Sequence, residues 1–354
     1  MNLEDLRGQI DSIDAQIVEL LKQRARCAHE VGRRKREAGR PTFVPERESA
    51  LIAKLLRLNA GELPEQCLLS IYRQIVSCSF HMEGGMRVGY LGPEGTWSHQ
   101  AALARFGDSV EFVPFPSFAH VFSAVERQEV NYGVIPIENS TDGSVSQAMD
   151  EFGHSPLRIC AQVQLSIRNC LLSDIPAEAI TTIYSHPQVL GQCRDWLREN
   201  FPQAELVSVS STAAATARAK QESASGAAAL GSKLTGTLHH LPVLAENIQD
   251  KAYNSTRFVV IGDQRTAPAE KNRTTLCFTV PHTPGSLVDM LLHFRRHGIN
   301  LLCIDSRPTR DTAWEYLFYV DVEGHEELDP LKSCLEEMKQ QSLMFKVLGS
   351  YPEQ

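Results

Sequence analysis

At 354 residues the chain is too long for one ordinary domain, and two or three are expected. A hydrophobic fraction of 42% supports globular cores, and a net charge of −8 argues against a nucleic-acid binder as a whole. Nine cysteines without a CxxC pair predict reduced thiols in a cytoplasmic protein. No basic, apolar leader opens the chain, and no apolar run reaches the ~18 residues of a membrane span.

Residues 1–84 read as a helical module. Leu3, Leu6, Ile10, Ile13, Ile17, Leu20 and Val31 alternate in steps of three and four, a heptad-like stripe on one helix of about 35 residues. Pro45 opens a second helix and Pro64 a third. The long helix outruns its neighbours, so a homodimer or higher oligomer is expected, with long helices paired. Arg24 and Lys35 fall within about 20° of one face at 100° per residue. Arg7 lies about 42 Å from Lys35 along the axis and can serve the same small-molecule site only from a partner helix. With Arg47, Glu48, Ser79 and Glu83 these residues suit a dicarboxylate ligand. A solvated basic face around Arg33–Arg36 is the plainer alternative.

The pattern Leu6-Arg7, Asp11, Ile13-Asp14, Gln23-Arg24, Val31-Gly32, Lys35 and Pro45-Glu46-Arg47-Glu48 resembles the all-helical chorismate mutase domain. The resemblance implies that Arg7 from the partner, Arg24 and Arg47 hold the two carboxylates of chorismate. It puts Lys35 on the ether oxygen, Glu48 on the ring hydroxyl and Ser79 beside the substrate. Two positions depart from the bacterial pattern: Phe43-Val44 replaces a polar turn, and Glu83 stands where a Gln usually donates to the ether oxygen. An ionised Glu only accepts, so Glu83 is expected to work protonated, and mutase activity to fall as pH rises.

Residues 86–264 read as strands that end in polar turns and lead into helices. Arg87–Leu91 runs into Gly92-Pro93-Glu94-Gly95-Thr96-Trp97-Ser98, with Ser98 as the expected N-cap and the helix start as an anion site; a plain βα turn is the alternative. Asn131–Ile135 leads to Glu138-Asn139-Ser140-Thr141. The apolar segment Leu157–Leu172 is expected to cross to a second lobe. There Ile180–Tyr184 leads to Ser185-His186-Pro187-Gln188, Leu206–Val209 to Ser210-Ser211-Thr212, and Ala227–Leu230 to Gly231-Ser232. The chain returns to Asn254-Ser255-Thr256-Arg257-Phe258 before the apolar run Phe258–Ile261. Out-and-back connectivity predicts two lobes around one cleft. No GxSxG elbow is present, and the adjacent His239-His240 lack ligand spacing, so neither a serine hydrolase nor a metal site is expected, and no cofactor.

The ordered set Gly92-Pro93-Glu94-Gly95-Thr96, Pro136-Ile137-Glu138-Asn139-Ser140, Ser185-His186-Pro187-Gln188, Ser211-Thr212-Ala213 and Asn254-Ser255-Thr256-Arg257-Phe258 resembles prephenate dehydratase. The resemblance implies a periplasmic-binding-protein-like fold and the conversion of prephenate to phenylpyruvate. It puts Thr256 near the leaving hydroxyl, helped by Arg257, Glu138 or a helix dipole. Ser98, Asn139, Ser140, Thr141, Ser211 and Thr212 then supply carboxylate and carbonyl contacts.

Gln264–Asn272 reads as a polar linker. Beyond it, residues 272–351 show the order βαββαβ: Thr274–Val280, Ser286–His297, Ile299–Ser306, Trp314–Val322, Leu331–Gln340 and Phe345–Gly349. Without a catalytic set, such a ferredoxin-like unit can be a dimerisation module. Pro284-Gly285-Ser286-Leu287-Val288 and Asp305-Ser306-Arg307-Pro308 resemble the two signatures of the ACT domain, with Ser286 for the usual Ala and Asp305 for the usual Glu. That resemblance implies L-phenylalanine as an effector that inhibits the dehydratase. A non-catalytic small-molecule sensor and a dehydratase preferring arogenate stay open.

Overall fold

The computed structural model describes residues 2–141, 143–251, 253–308 and 316–353. Helix α1 (Leu3–Glu37) starts at a capping box in which Asn2 and Asp5 exchange side-chain and backbone hydrogen bonds. Helices α2 (Pro45–Asn59) and α3 (Glu65–Met82) fold back beside its C-terminal half. The apolar stripe of α1 is left exposed in the single chain, from Leu3 at 63% to Leu20 at 63%. The only buried residues of α1 are Ala28 and Gly32.

The first lobe holds β1 (Arg87–Leu91), α4 (Trp97–Phe106), β2 (Glu111–Phe115), α5 (Phe118–Glu126), β3 (Tyr132–Asn139), β4 (Gly143–Ser144), α6 (Ser146–His154) and β5 (Arg158–Ser166). The second holds β6 (Cys170–Leu172), β7 (Thr182–Ser185), α7 (Pro187–Gln192), α8 (Arg194–Asn200), β8 (Glu205–Ser208), α9 (Thr212–Gln221), β9 (Ala227–Gly231), α10 (Lys233–Leu238) and β10 (Val243–Glu246). The chain then re-enters the first lobe as β11 (Ser255–Gly262). The first sheet has the order β2-β1-β3-β11-β5, with β4 on β3; the second has the order β10-β6-β9-β7-β8. Two segments cross between the lobes, and they bond to each other: Ile167 N–H to Asn254 O at 2.8 Å and Ile248 N–H to Asn169 O at 3.1 Å.

The last unit is β12 (Asn272–Thr279), α11 (Ser286–Arg296), β13 (Leu301–Pro308), β14 (Tyr316–Glu323), α12 (Leu331–Gln341) and β15 (Met344–Pro352), with sheet order β13-β14-β12-β15. This is the ferredoxin-like arrangement, all antiparallel. The strand expected from Ile299 starts two residues later, because Ile299 N–H closes the end of α11 on Phe294 O. Trp314, expected to open the next strand, lies outside the described residues.

Residues 263–271 do not behave as a free linker. Gln264 donates to Phe43 O at 3.0 Å and accepts from Tyr132 at 2.8 Å. Thr266 is 5% exposed and donates to Ser350 O, while His325 bonds Thr266 O. One hydrophobic core joins the first lobe to the last unit, with Phe152, Ile159 and Val259 packed with Cys277, Tyr319 and Leu348. Gly349 makes this possible: a Cβ there would stand 2.0 Å from Ile159 O on β5. Backbone against backbone leaves no soft side chain to yield. Gly349→Ala is therefore expected to cost more than the ~1–3 kcal/mol of ordinary overpacking; an unchanged thermal melting midpoint would show that β15 and β5 are not so close.

Candidate active sites

In the helical unit, α3 presents two polar side chains to the cations of α1. Arg24 donates to Ser79 Oγ and, at 3.3 Å, to Ile75 O. Lys35 Nζ stands 2.7 Å from Glu83 Oε2 and 2.7 Å from Thr42 O, with only 18% of its side chain exposed. Gly32 allows this approach, since a Cβ there would lie 2.5 Å from Glu83 Cα. Arg24, Lys35, Ser79 and Glu83 are thus gathered on one helix–helix seam. Arg7 and Arg47 are exposed elsewhere on α1 and α2. Glu48 makes a contact the sequence did not foretell: its Oε1 accepts from Arg105 Nη1 of α4 at 2.7 Å.

In the cleft, polar residues end parallel strands. Thr96, not Ser98, caps α4: its hydroxyl accepts from His99 N–H at 3.3 Å and donates to Leu91 O at 2.8 Å. Ser98 is buried in the first turn. His99 stacks on Tyr90, with ring centroids 4.7 Å apart, and its Nδ1 accepts from Gly95 N–H at 3.1 Å. Burial lowers the His99 pKa against a pull from Glu94, so the ring stays neutral at pH 7 and keeps Nδ1 as acceptor. Ser211 caps α9 beside the buried Thr212.

Because β11 runs antiparallel to β3, its first residues meet the last residues of β3, and Thr256 pairs with Asn139. Asn139 Nδ2 donates to Thr256 Oγ1 at 2.8 Å and to Asn254 Oδ1 at 3.0 Å. Asn139 Oδ1 takes Thr141 N–H at 2.9 Å, which fixes the amide's orientation. Ser140 ties the same corner through Ser255 N–H at 2.9 Å. Asn254 then reaches Gln192 of the second lobe at 3.0 Å. Beside it lies a cavity of about 340 Å³ lined by Thr141, Gln188, Gln192, Lys251 and Asn254. Gln188, Gln192, Lys251 and Asn254 had no assigned role in the sequence, although Gln188 and Asn254 stand in strand-end motifs.

Arg257 and Glu138 were expected to assist Thr256, and the structure corrects this. Side chains alternate along a strand, so Thr256 faces the cleft and Arg257 the other way. Arg257 pairs with Asp321 of β14 at 2.6 Å and with Glu138 at 3.0 Å. Burial alone would lower the Arg257 pKa, but Asp321, Tyr351 and Glu138 outweigh it and raise it. In the last unit Gly285, Ser286, Leu287 and Val288 open α11. Ser286 and Leu287 line a cavity of about 350 Å³ with Pro284, Tyr316 and Phe318. Asp305, Ser306, Arg307 and Pro308 end β13, at the same sheet edge but beyond β14, and do not line it.

Residues 6–84 match the family model of chorismate mutase type II, and residues 88–266 that of prephenate dehydratase. A bifunctional chorismate mutase/prephenate dehydratase of Aquifex aeolicus is 41% identical over 356 residues, covering 99% of this chain and 98% of the relative. The chain belongs to the bifunctional chorismate mutase/prephenate dehydratase family. The relative in Pseudomonas aeruginosa is 40% identical over 358 residues, with 99% of this chain and 98% of that protein covered. Among solved structures, a prephenate dehydratase in complex with L-Phe from Arthrobacter aurescens is 29% identical with a TM-score of 0.70, covering 75% of this chain and 90% of that one. A protein described as a quorum quenching acylase, GqqA, has the same TM-score of 0.70 at 26% identity, covering 76% of this chain and 98% of that one; one fold carries more than one chemistry. As a bifunctional chorismate mutase/prephenate dehydratase, the chain is an enzyme with an isomerase and a lyase unit. No helix among the described residues is long and apolar enough to cross a membrane.

Thr256 and Asn254 share one donor group, so Asn139→Ala strips both at once. We expect dehydratase kcat/KM to fall at least about tenfold with mutase kinetics unchanged; a dehydratase rate within twofold of wild type would remove Asn139 from the site.

Proposed function

We propose that the helical unit rearranges chorismate to prephenate and that the cleft converts prephenate to phenylpyruvate, on the route to phenylalanine. What supports it most is full-length similarity to bifunctional relatives, together with the Arg24–Ser79 and Lys35–Glu83 contacts in the helical unit and the Asn139–Thr256 contact in the cleft. Arg24 and Arg47, with Arg7 of a second copy, hold the carboxylates; the exposed stripe of α1 is the surface through which that copy packs. Lys35 meets the ether oxygen, where negative charge grows as the C–O bond breaks, and Glu48 takes the ring hydroxyl. The reaction is pericyclic, so confinement of a compact conformer and electrostatics suffice.

In the cleft, aromatisation drives loss of carbon dioxide and water, and the leaving hydroxyl needs a proton donor. Asn139 occupies a lone pair of Thr256 Oγ1, which leaves the threonine's own hydrogen to point at substrate. Ser98, Ser140, Thr141, Ser211 and Thr212 hold the carboxylate and carbonyl. Phenylalanine binding at the Pro284–Val288 turn, in an ACT-type unit, inhibits this step, and Arg257–Asp321 is the contact through which the effect reaches the strand of Thr256. Nine unpaired cysteines fit a cytoplasmic setting.

The test is to assay each activity separately on chorismate, prephenate and arogenate, with and without phenylalanine. Phenylpyruvate absorbance in alkali after adding chorismate reports the coupled reaction; its failure to appear would leave a sensor instead of an enzyme, and faster turnover of arogenate would change the second substrate.

Two sharper outcomes are expected. Glu83 competes with the ether oxygen for Lys35, and a Gln there donates where a carboxylate only accepts. Glu83→Gln is therefore expected to raise mutase kcat/KM at least about threefold; an unchanged or lowered value would refute it. Asp321→Asn is expected to raise the phenylalanine concentration for half-inhibition at least about fivefold while basal dehydratase activity persists, read from inhibition curves of a variant whose melting shows it folded.

A further inference from the structure

We infer that Arg105, a residue of the dehydratase unit, is a positioning residue of the mutase site. The inference rests on the reading that Glu48 takes the ring hydroxyl of the mutase substrate. Arg105 sits in the last turn of α4, seven residues after Ser98. Its guanidinium lies 4.7 Å from the ring centre of Phe43 and 5.7 Å from that of Phe106. Phe43 itself is fully buried among Phe80 of the mutase helices and Phe106 and Tyr132 of the first lobe. The arginine is therefore clamped by a core that both units share. From there Nη1 reaches across the unit boundary to Glu48 Oε1 at 2.7 Å, with 4% and 16% of the two side chains exposed.

The pair is incompletely satisfied. Among the described residues, the buried Glu48 Oε2 makes no hydrogen bond, and neither does Arg105 Nε. A buried carboxylate held by one oxygen costs free energy unless something fills the other. In the ion pair between the first lobe and the last unit, Arg257 takes one oxygen of Asp321 and Thr275 donates to the other at 2.6 Å, whereas Glu48 Oε2 has no such second donor among the described residues. Holding Oε1 and leaving Oε2 vacant is the arrangement of a carboxylate waiting for a donor, and a substrate hydroxyl is a donor of the right size. Arg105 thus aims the acceptor before substrate arrives and keeps it from turning to water. The hydroxyl acceptor of the helical unit is thus oriented by the neighbouring unit.

The experiment uses the full-length chain with Arg105→Met, Arg105→Lys, Glu48→Gln and the double variant Arg105→Met/Glu48→Gln. Methionine keeps an apolar stem on Phe43 and removes the donor. Arg105→Met is expected to lower mutase kcat/KM at least about tenfold, mainly through KM, because the hydroxyl contact serves substrate and transition state alike. Arg105→Lys should recover part of the loss. Turnover of prephenate added directly should stay within twofold, and the double variant should be no worse than Glu48→Gln alone. Mutase constants of Arg105→Met within twofold of wild type, with Glu48→Gln impaired, would overturn the inference and leave the Glu48 reading intact. Losses that multiply in the double variant would overturn it too, since a residue acting through Glu48 cannot add to the loss of Glu48. A silent Glu48→Gln would instead remove the reading beneath it.

Discussion

The antiparallel return of β11 between β3 and β5 is the constraint on which the rest of the molecule depends. A strand that comes back from a second lobe starts where its neighbour ends, so Thr256 meets Asn139 at the cleft mouth. Strand alternation then sends the next side chain, Arg257, to the opposite face, where Asp321 and Glu138 hold it. Two consecutive residues thus face two different units. The buried cation cannot be released cheaply, because breaking one partner of such a pair costs about 3–5 kcal/mol. The face that carries Thr256 and the face that meets the last unit share a backbone that has little freedom to move independently.

The helical unit is bound to the α/β unit by a comparable economy of parts. Phe43 follows Thr42, whose carbonyl receives Lys35, and precedes the turn that leads to Glu48. Its ring is buried against aromatic residues of the first lobe, and Gln264 donates to its carbonyl. The position that departs from the bacterial mutase pattern is therefore an anchor between units. An apolar residue there trades a polar contact for aromatic packing worth about 0.5–1.5 kcal/mol per pair beyond area burial.

Much of this was legible in the chain. The three helices, the strand-turn-helix rhythm and the βαββαβ tail follow from periodicity and turn residues, and Arg24, Lys35, Ser79 and Glu83 from helical spacing. Helix α6, whose Met149 carbonyl accepts from Tyr319 at 2.7 Å, was not expected from the sequence. Ser98 was mistaken for the cap because Thr96, two residues earlier, offers the same hydroxyl chemistry. Arg257, Glu138 and Arg105 were beyond sequence for a different reason. Arg257 and Arg105 meet Asp321 and Glu48, 64 and 57 positions away in other units, and Glu138 meets Arg257 119 positions away; no local pattern encodes a tertiary ion pair. The polar stretch Gln264–Asn272 looked like a tether because composition reports solvation, while hydrogen bonds to Phe43, Tyr132 and Ser350 hold it in place.

The two crossings between the lobes carry a mechanical consequence. Ile167 and Asn169 of one are bonded to Asn254 and Ile248 of the other, so the lobes are joined by a narrow two-stranded ribbon instead of separate cords. A ribbon of this kind bends readily about the axis across its strands and resists sliding along them. Any opening of the cleft would therefore bend this ribbon and not shear it. Asn254 belongs to the ribbon and also bonds Asn139 in one lobe and Gln192 in the other, so the polar cluster sits on the pivot, where rocking moves atoms least.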